Sequence, residues 1–219
     1  MINFQKIIVI TGHYGCGKTN LAVNLALHLA DRGEPVTIMD LDIVNPYFRT
    51  NDCKALFEGR GIELVAANFA STNLDVPSLP GSVAAKIRMG DGSLILDVGG
   101  DDAGAVALGQ YAAMIAEREY EMLYVYNPFR LLTAEPEAAV QSLREIEAAA
   151  RLKTAALVNN ANLGPLTTPE TVESGLIFGK RMTELTGLPV KFTACTKGNE
   201  PATGGGDIFP MELYLKPVE

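Results

Sequence analysis

Short apolar runs alternate with helical patterns along most of the chain, which has 219 residues. This alternation predicts an α/β fold, with a mostly parallel β-sheet covered by helices on both faces. The predicted strands are residues 6–11, 35–40, 62–66, 93–98, 121–126, 154–159 and 190–195. The predicted helices lie near residues 18–31, 50–58, 82–89, 103–118, 134–151 and 168–186. The sequence contains no internal repeat or linker, so we expect one domain over residues 1–219.

The first predicted strand is followed by the sequence G-H-Y-G-C-G-K-T, which fits the phosphate-binding loop pattern G-x-x-x-x-G-K-[ST]. Gly12, Gly15 and Gly17 allow a tight turn whose N–H groups point at a polyphosphate, and the next helix adds its N-terminal partial charge. We expect Lys18 to reach the β- and γ-phosphates and the Thr19 hydroxyl to ligate Mg²⁺. The alternative is a glycine-rich turn with no ligand, which the order of strand, loop and helix disfavours. The predicted nucleotide-binding residues of this segment are Gly12, His13, Tyr14, Gly15, Cys16, Gly17, Lys18, Thr19 and Asn20.

Two carboxylates follow the second predicted strand, which runs into the sequence D-L-D. Asp40 and Asp42 are two residues apart, so in an extended chain they face the same side. Beside a phosphate-binding loop, such carboxylates can hold Mg²⁺-bound water or orient an attacking water. We assign the catalytic and metal-side role to Asp42, and leave open whether Asp40 lies nearer the γ-phosphate. The alternative is that either aspartate caps the following turn.

The strand that ends at Asp97 is followed by Gly99 and Gly100. An acid at the tip of an apolar strand, followed by glycines, is the usual partner of a phosphate-binding loop. We expect Asp97 to lie on the Mg²⁺ side together with Thr19. The glycines would let this loop respond to the γ-phosphate. The alternative is an acidic turn with no metal.

Amide side chains cluster at the end of a late strand, in the sequence V-N-N-A-N. An amide can donate to a purine edge and accept from it, so we predict that Asn159 contacts the base. The guanine-reading pattern N-K-x-D is present only in outline, because Asn160 and Asn162 replace lysine and aspartate. Without that carboxylate, guanine loses a charged acceptor, and we favour adenine over guanine.

Composition and charge exclude several kinds of partner. The formal net charge of −8, with its basic residues scattered, argues against binding nucleic acid or an anionic membrane. No apolar stretch approaches the length of a membrane span, and we expect no signal peptide and a cytoplasmic location. Cys16, Cys53 and Cys195 are far apart, which predicts reduced thiols and neither a disulfide nor a metal framework.

In order and spacing, the phosphate-binding loop, D-L-D, D-V-G-G-D and V-N-N resemble the deviant P-loop ATPases. That group includes the septum-site regulator MinD, the partition ATPase ParA and the nitrogenase iron protein. The resemblance covers most of residues 6–195. It implies a seven- or eight-stranded sheet, binding of ATP with Mg²⁺, and often a nucleotide-dependent dimer. By motif match it gives Asp42 the switch I role, Asp97 the Mg²⁺ side, Asp101 a switch II role and Asn159 the base.

The sequence departs from this family where its members usually have G-K-G-G-x-G-K-[ST]. His13 replaces the lysine that reaches across the dimer, and Tyr14 replaces the following glycine. A histidine of ordinary pKa is mostly neutral at pH 7, so slow or partner-dependent turnover is expected, and a homodimer and a monomer both stay open. The cysteine pairs of an iron–sulfur protein, a lipid-binding tail and a basic DNA-contacting surface are missing from the sequence.

We therefore predict a slow, Mg²⁺-dependent ATPase that acts as a nucleotide switch on a protein partner. The alternative is an ATP-dependent small-molecule ligase or kinase that resembles dethiobiotin synthetase. That reading ranks second because few basic residues are available to bind an acceptor substrate. A non-catalytic nucleotide-binding module and a GTPase metal chaperone rank lower.

Overall fold

A computed structural model describes residues 2–41, 53–66, 81–100, 102–202, 204 and 206–215. The strands are β1 Ile7–Thr11, β2 Val36–Leu41, β3 Glu63–Ala66, β4 Ser93–Val98, β5 Tyr120–Tyr126, β6 Thr154–Asn159, β7 Val190–Thr196 and β8 Ile208–Met211. The helices are α1 Lys18–Asp31, α2 Lys54–Glu58, α3 Gly81–Met89, α4 Asp102–Gly109, α5 Ala112–Ala116, α6 Pro136–Ala150 and α7 Pro169–Thr186. Short 3₁₀ turns lie at Leu131–Thr133 and Gly164–Leu166.

The described strands form one eight-stranded sheet in the order β3-β2-β4-β1-β5-β6-β7-β8. Every neighbouring pair is parallel. Strand β1 lies in the interior, between β4 and β5. Because parallel strands all end at the same edge, the segments after β1, β4, β5 and β6 gather there. The predicted parallel α/β sheet is confirmed.

Helices cover both faces of the sheet because the strand side chains alternate between two cores. Ile8 and Ile10 of β1 pack in a cluster with the apolar residues of α1. Ile7 and Val9 point the opposite way and pack with residues of α3, α4 and α5. This period of two is what a strand buried on both faces dictates.

The predicted helix over residues 103–118 is wrong in one respect, because the structure divides it into α4 and α5. The break follows Gly109, where a Cβ would lie 2.5 Å from the carbonyl oxygen of Ala149 on α6. Glycine weakens a helix, and here its small size lets α6 approach closely. The last strand, β8, follows the glycine-rich segment and was not among the predicted strands. None of the helices in the described ranges is long and apolar enough to cross a membrane.

Candidate functional site

The loop between β1 and α1 is built on three glycines in left-handed backbone conformations. The φ angles of Gly12, Gly15 and Gly17 are 140°, 75° and 89°. At Gly12, a Cβ would lie only 2.2 Å from the carbonyl oxygen of Val125 on β5. Only glycine combines such a φ angle with so close an approach. The loop therefore makes a tight turn at the carboxyl end of the sheet.

The Lys18 side chain reaches back to the start of this loop. Only 7% of its surface is exposed, and its Nζ donates a hydrogen bond to the carbonyl oxygen of His13 at 3.1 Å. Burial of an ammonium group is costly unless anionic or carbonyl oxygens surround it. The loop thus holds a positive charge in a sheltered position, where an anionic phosphate oxygen would form a charge-assisted hydrogen bond.

Two carboxylates lie side by side at the same edge of the sheet. Asp40 on β2 and Asp97 on β4 are direct partners in register, and they expose 9% and 2% of their surface. Ile38 and Ile95, two residues earlier on each strand, pack in the core cluster that contains the apolar side of α1. Side chains two apart on a strand share a face, so both carboxylates lie on the α1 face of the sheet.

Asp97 is the carboxylate nearer the phosphate-binding loop in the order of strands. It is the register partner of Ile10 on β1, two residues before the loop begins at Gly12. Thr19 lies half-buried in the first turn of α1, on the same face of the sheet. Asp42 and Asp101 lie outside the described residues, so the roles predicted for them stay predictions.

The oxygen atoms of Thr19 and Asp97 fit Mg²⁺, which needs few protein ligands, better than a metal that is bound by protein side chains alone. Thr19 supplies a hydroxyl oxygen and Asp97 a carboxylate oxygen, and Mg²⁺ usually binds one or two such groups together with phosphates and waters. Within the described residues there is no group of three or more His, Cys, Asp and Glu side chains that could hold a metal. Thr19 and Asp97 would supply two of the ligands, and a bound nucleotide and waters would have to supply the others.

Gly100, three residues after Asp97, lies directly against the phosphate-binding loop. A Cβ on Gly100 would lie 2.5 Å from the backbone nitrogen of Tyr14 and 2.7 Å from the Nζ of Lys18. The loop after β4 and the loop after β1 are therefore in contact at Lys18. The two loops pack so closely here that a movement of one loop toward the other would displace it.

The Cys16 thiol points into the protein rather than out of the loop. It is 1% exposed, and burial raises its pKa, although Lys18 and Arg130 nearby act in the opposite direction. A thiol with a raised pKa is protonated at neutral pH. Cys16 therefore adds no negative charge to the loop and is a poor nucleophile.

Asn159 is placed differently from a side chain that faces a ligand. It is fully buried at the end of β6. Its Nδ2 donates to the carbonyl oxygen of Val172 and the hydroxyl of Thr193, and its Oδ1 accepts from the N–H of Ala161. Contact with a base would require exchange of these bonds, and the role of Asn159 in base recognition stays a prediction.

Asn160, the next residue, is the amide that contacts the phosphate-binding loop. Its Nδ2 donates to the carbonyl oxygen of Cys16 at 2.7 Å, and a Cβ on Gly17 would lie 2.4 Å from the same nitrogen. Asn162 extends the contact, since its Nδ2 donates to the carbonyl oxygen of Asn160 at 2.8 Å. These bonds fix the loop after β6 against the start of α1.

The remaining predicted residues of the loop lie in different surroundings. The Nδ1–H of His13 donates to the carbonyl oxygen of Tyr14 at 3.1 Å, and the Tyr14 side chain is 64% exposed. Asn20 is buried, and its amide bonds the C-terminal segment: it donates to the carbonyl oxygen of Glu212 and accepts from the N–H of Tyr214. Asn20 therefore ties α1 to the chain that follows β8.

The structure also brings Arg130 to the loop, although sequence reasoning did not select it. Arg130 follows β5, and its Nε would lie 3.5 Å from a Cβ on Gly15. No motif marks this arginine. Its position depends on β5 being the neighbour of β1, which the sequence alone does not reveal.

Comparison with known proteins agrees with this geometry. The ParA family model, described as an NUBPL iron-transfer P-loop NTPase, matches residues 3–51. No curated protein matches the chain.

Solved structures with the same fold include FtsY from Thermotoga maritima (TM-score 0.56, 18% identity, covering 91% of this chain and 66% of that one). FtsY from Elizabethkingia anophelis in complex with GDP is similar (TM-score 0.55, 19% identity, 91% and 60%). FlhF complexed with GMPPNP and Mg²⁺ is a third (TM-score 0.53, 16% identity, 92% and 69%). The chain spans about two thirds or less of the length of these FtsY chains. The predicted P-loop NTPase fold is confirmed, and the family model matches the segment that contains the phosphate-binding loop.

Proposed function

We propose that this protein binds ATP with Mg²⁺, hydrolyses it slowly and acts as a nucleotide switch on a protein partner. The observation that carries the proposal is the buried Lys18 ammonium, held over a glycine turn and in contact with the loop that follows Asp97. Fixed positive charge of this kind stabilises the charge that develops on a transferring phosphoryl group.

Thr19 and Asp97 are the groups that would hold Mg²⁺, which when bound would neutralise charge on the phosphate oxygens. Lys18 and the N–H groups of the loop would bind and orient the polyphosphate. Asp42 would position the attacking water. The proposal thus assigns a residue to each part of a phosphoryl transfer site.

ATP is the nucleotide we propose, because the end of β6 offers amides where guanine recognition needs a carboxylate. Asn162 occupies that position, and its Oδ1 accepts a hydrogen bond from the N–H of Gly164 at 3.3 Å. An amide oxygen is a weaker acceptor for the two guanine donors than a carboxylate is. Two proteins of the same fold are in complex with guanine nucleotides, GDP and GMPPNP, so the experiment below compares ATP with GTP.

The contact between Gly100 and Lys18 supports the switch. A loop that touches the phosphate-binding lysine changes its surroundings when the γ-phosphate arrives or leaves. The loop after β4 is therefore the element we expect to signal the bound nucleotide to a partner.

Hydrolysis of MgATP and MgGTP, together with the mass in solution with the triphosphate and the diphosphate, tests the proposal. We expect slow ATP turnover that needs Mg²⁺.

The other outcomes distinguish the alternatives. If ATP induces a dimer, His13 would lie at the dimer interface. If the protein stays a monomer with ATP, the partner of the switch would be a different protein. Preference for GTP would refute the adenine assignment. ATP consumption that needs a small-molecule acceptor would favour the ligase or kinase alternative. Failure to bind either nucleotide would refute the proposal.

Replacing Gly100 with alanine should slow hydrolysis by about 10-fold or more while the fold is kept, because the new methyl group must push Lys18 and the Tyr14 backbone aside. The measurement is the turnover number for MgATP. Gly59→Ala is the matched control: its Cβ would meet nothing closer than 3.5 Å, and its φ of −64° suits any residue. Equal turnover in Gly100→Ala and Gly59→Ala would contradict the contact.

A further inference from the structure

Arg130 is the feature of the molecule that the proposed function leaves unused. Its Nε, Cδ and Cζ would lie 3.5, 3.6 and 3.8 Å from a Cβ on Gly15, in the middle of the phosphate-binding loop. The guanidinium is also near enough to the Cys16 thiol to act on it electrostatically. A second positive charge therefore lies beside the loop, apart from Lys18.

The Nε atom of Arg130 is buried, and no hydrogen-bond partner for it exists in the described part of the chain. The ion pairs found there that involve arginine belong to Arg32, Arg60, Arg144 and Arg181. A buried donor left unpaired costs free energy, which a ligand that accepts its hydrogen bond would recover.

The backbone under Arg130 is held in place before any ligand arrives. Its N–H donates to the carbonyl oxygen of Asn127 at 3.2 Å, closing a turn just after β5. The Asn127 side chain is itself buried, and its Nδ2 donates to the carbonyl oxygen of Asn162 at 3.0 Å. Asn160, in the same loop as Asn162, donates to the carbonyl oxygen of Cys16. The turn that contains Arg130 is thus hydrogen-bonded, through the loop after β6, to the phosphate-binding loop. This restraint limits the entropy lost on binding.

We propose that Arg130 contacts the polyphosphate of the bound nucleotide in the same chain, as a second cation beside Lys18. The planar guanidinium forms paired hydrogen bonds to phosphate oxygens and stays charged at every physiological pH. The Nδ1–H of His13 already donates to the Tyr14 carbonyl oxygen and is not available for this contact. This inference rests on the proposed function and assigns it a further phosphate-binding residue.

The experiment measures the affinity of wild type, Arg130→Gln, Arg130→Lys and Arg88→Gln for MgATP, MgGTP and adenosine by calorimetry. Arg88 is an exposed arginine on α3 and serves as the matched control. We expect Arg130→Gln to bind the triphosphate that wild type prefers about 10- to 100-fold more weakly than wild type does. The affinity of Arg130→Lys should lie between those of wild type and Arg130→Gln. Adenosine affinity should not change, because adenosine has no phosphate. The melting temperature without ligand should not fall, because the Nε of Arg130 has no hydrogen-bond partner to lose among the described residues.

The outcomes separate this inference from the proposed function. Wild type that binds triphosphate, with Arg130→Gln equal to it, would overturn the role of Arg130 and leave the proposed function standing. A lower melting temperature in Arg130→Gln, with an equal loss of adenosine and triphosphate affinity, would also overturn it, since Arg130 would then act on the fold. Wild type that binds neither triphosphate would overturn both.

Discussion

Replacing Lys18 with alanine should lower MgATP hydrolysis by about 100-fold or more, because the change removes the buried positive charge that we propose binds the phosphates. The Nζ of Lys18 is held by the His13 carbonyl oxygen in a site where only 7% of the residue is exposed. Charge stabilisation is stronger in such a sheltered site than in water. Alanine carries no charge, and water that enters the site would stabilise the phosphoryl charge less well than the ammonium group.

The measurement is the initial rate of phosphate release at saturating MgATP, with nucleotide affinity measured in parallel. Lys180→Ala, which removes an exposed lysine on α7, is the control for loss of one surface charge. Circular dichroism checks that the Lys18 variant is folded. Turnover within twofold of wild type would mean that phosphoryl transfer does not use this loop.

Local patterns explain which parts of the site could be predicted from the sequence. The loop from Gly12 to Thr19 is a continuous motif, and the helix that follows it was predicted with the bounds that the structure gives to α1. Asp97 could be located because an apolar strand ends in an acid followed by glycines. Each of these features depends on residues within about ten positions in the sequence, so it can be predicted without knowledge of the tertiary fold.

The order of strands explains what could not be predicted. Asp40 and Asp97 are register partners only because β2 and β4 are neighbours, although β3 lies between them in sequence. Arg130 reaches Gly15 only because β5 lies beside β1. Pairings of this kind depend on crossover connections, and the hydrophobic pattern specifies each strand but not its neighbours.

Asn159 shows a different limit, since residue type alone does not reveal whether an amide faces a ligand. Sequence reasoning could place Asn159, Asn160 and Asn162 at the end of β6, where ligands bind in such sheets. The structure buries Asn159 and gives the contact with the phosphate-binding loop to Asn160. The face on which each side chain emerges depends on how β6 ends, which no pattern specifies.

Replacing Gly12 with alanine should destabilise the protein more than any other change considered, by about 3 kcal/mol or more. Two costs add at this position. The φ angle of 140° strains any residue with a Cβ, and that Cβ would lie 2.2 Å from the Val125 carbonyl oxygen on the neighbouring strand. Neither β1 nor β5 can move away without breaking the parallel pairing at the centre of the sheet.

Gly33→Ala separates the two costs. Gly33 also has a left-handed φ angle, 80°, but a Cβ there would meet nothing within 4 Å. Backbone strain alone should cost about 1 kcal/mol at Gly33, and the excess at Gly12 then measures the collision with β5. The measurement is the urea midpoint and slope for both variants. An insoluble Gly12→Ala beside a folded Gly33→Ala agrees with the expected order, whereas equal midpoints would mean that the start of the loop can shift away from β5 at little cost.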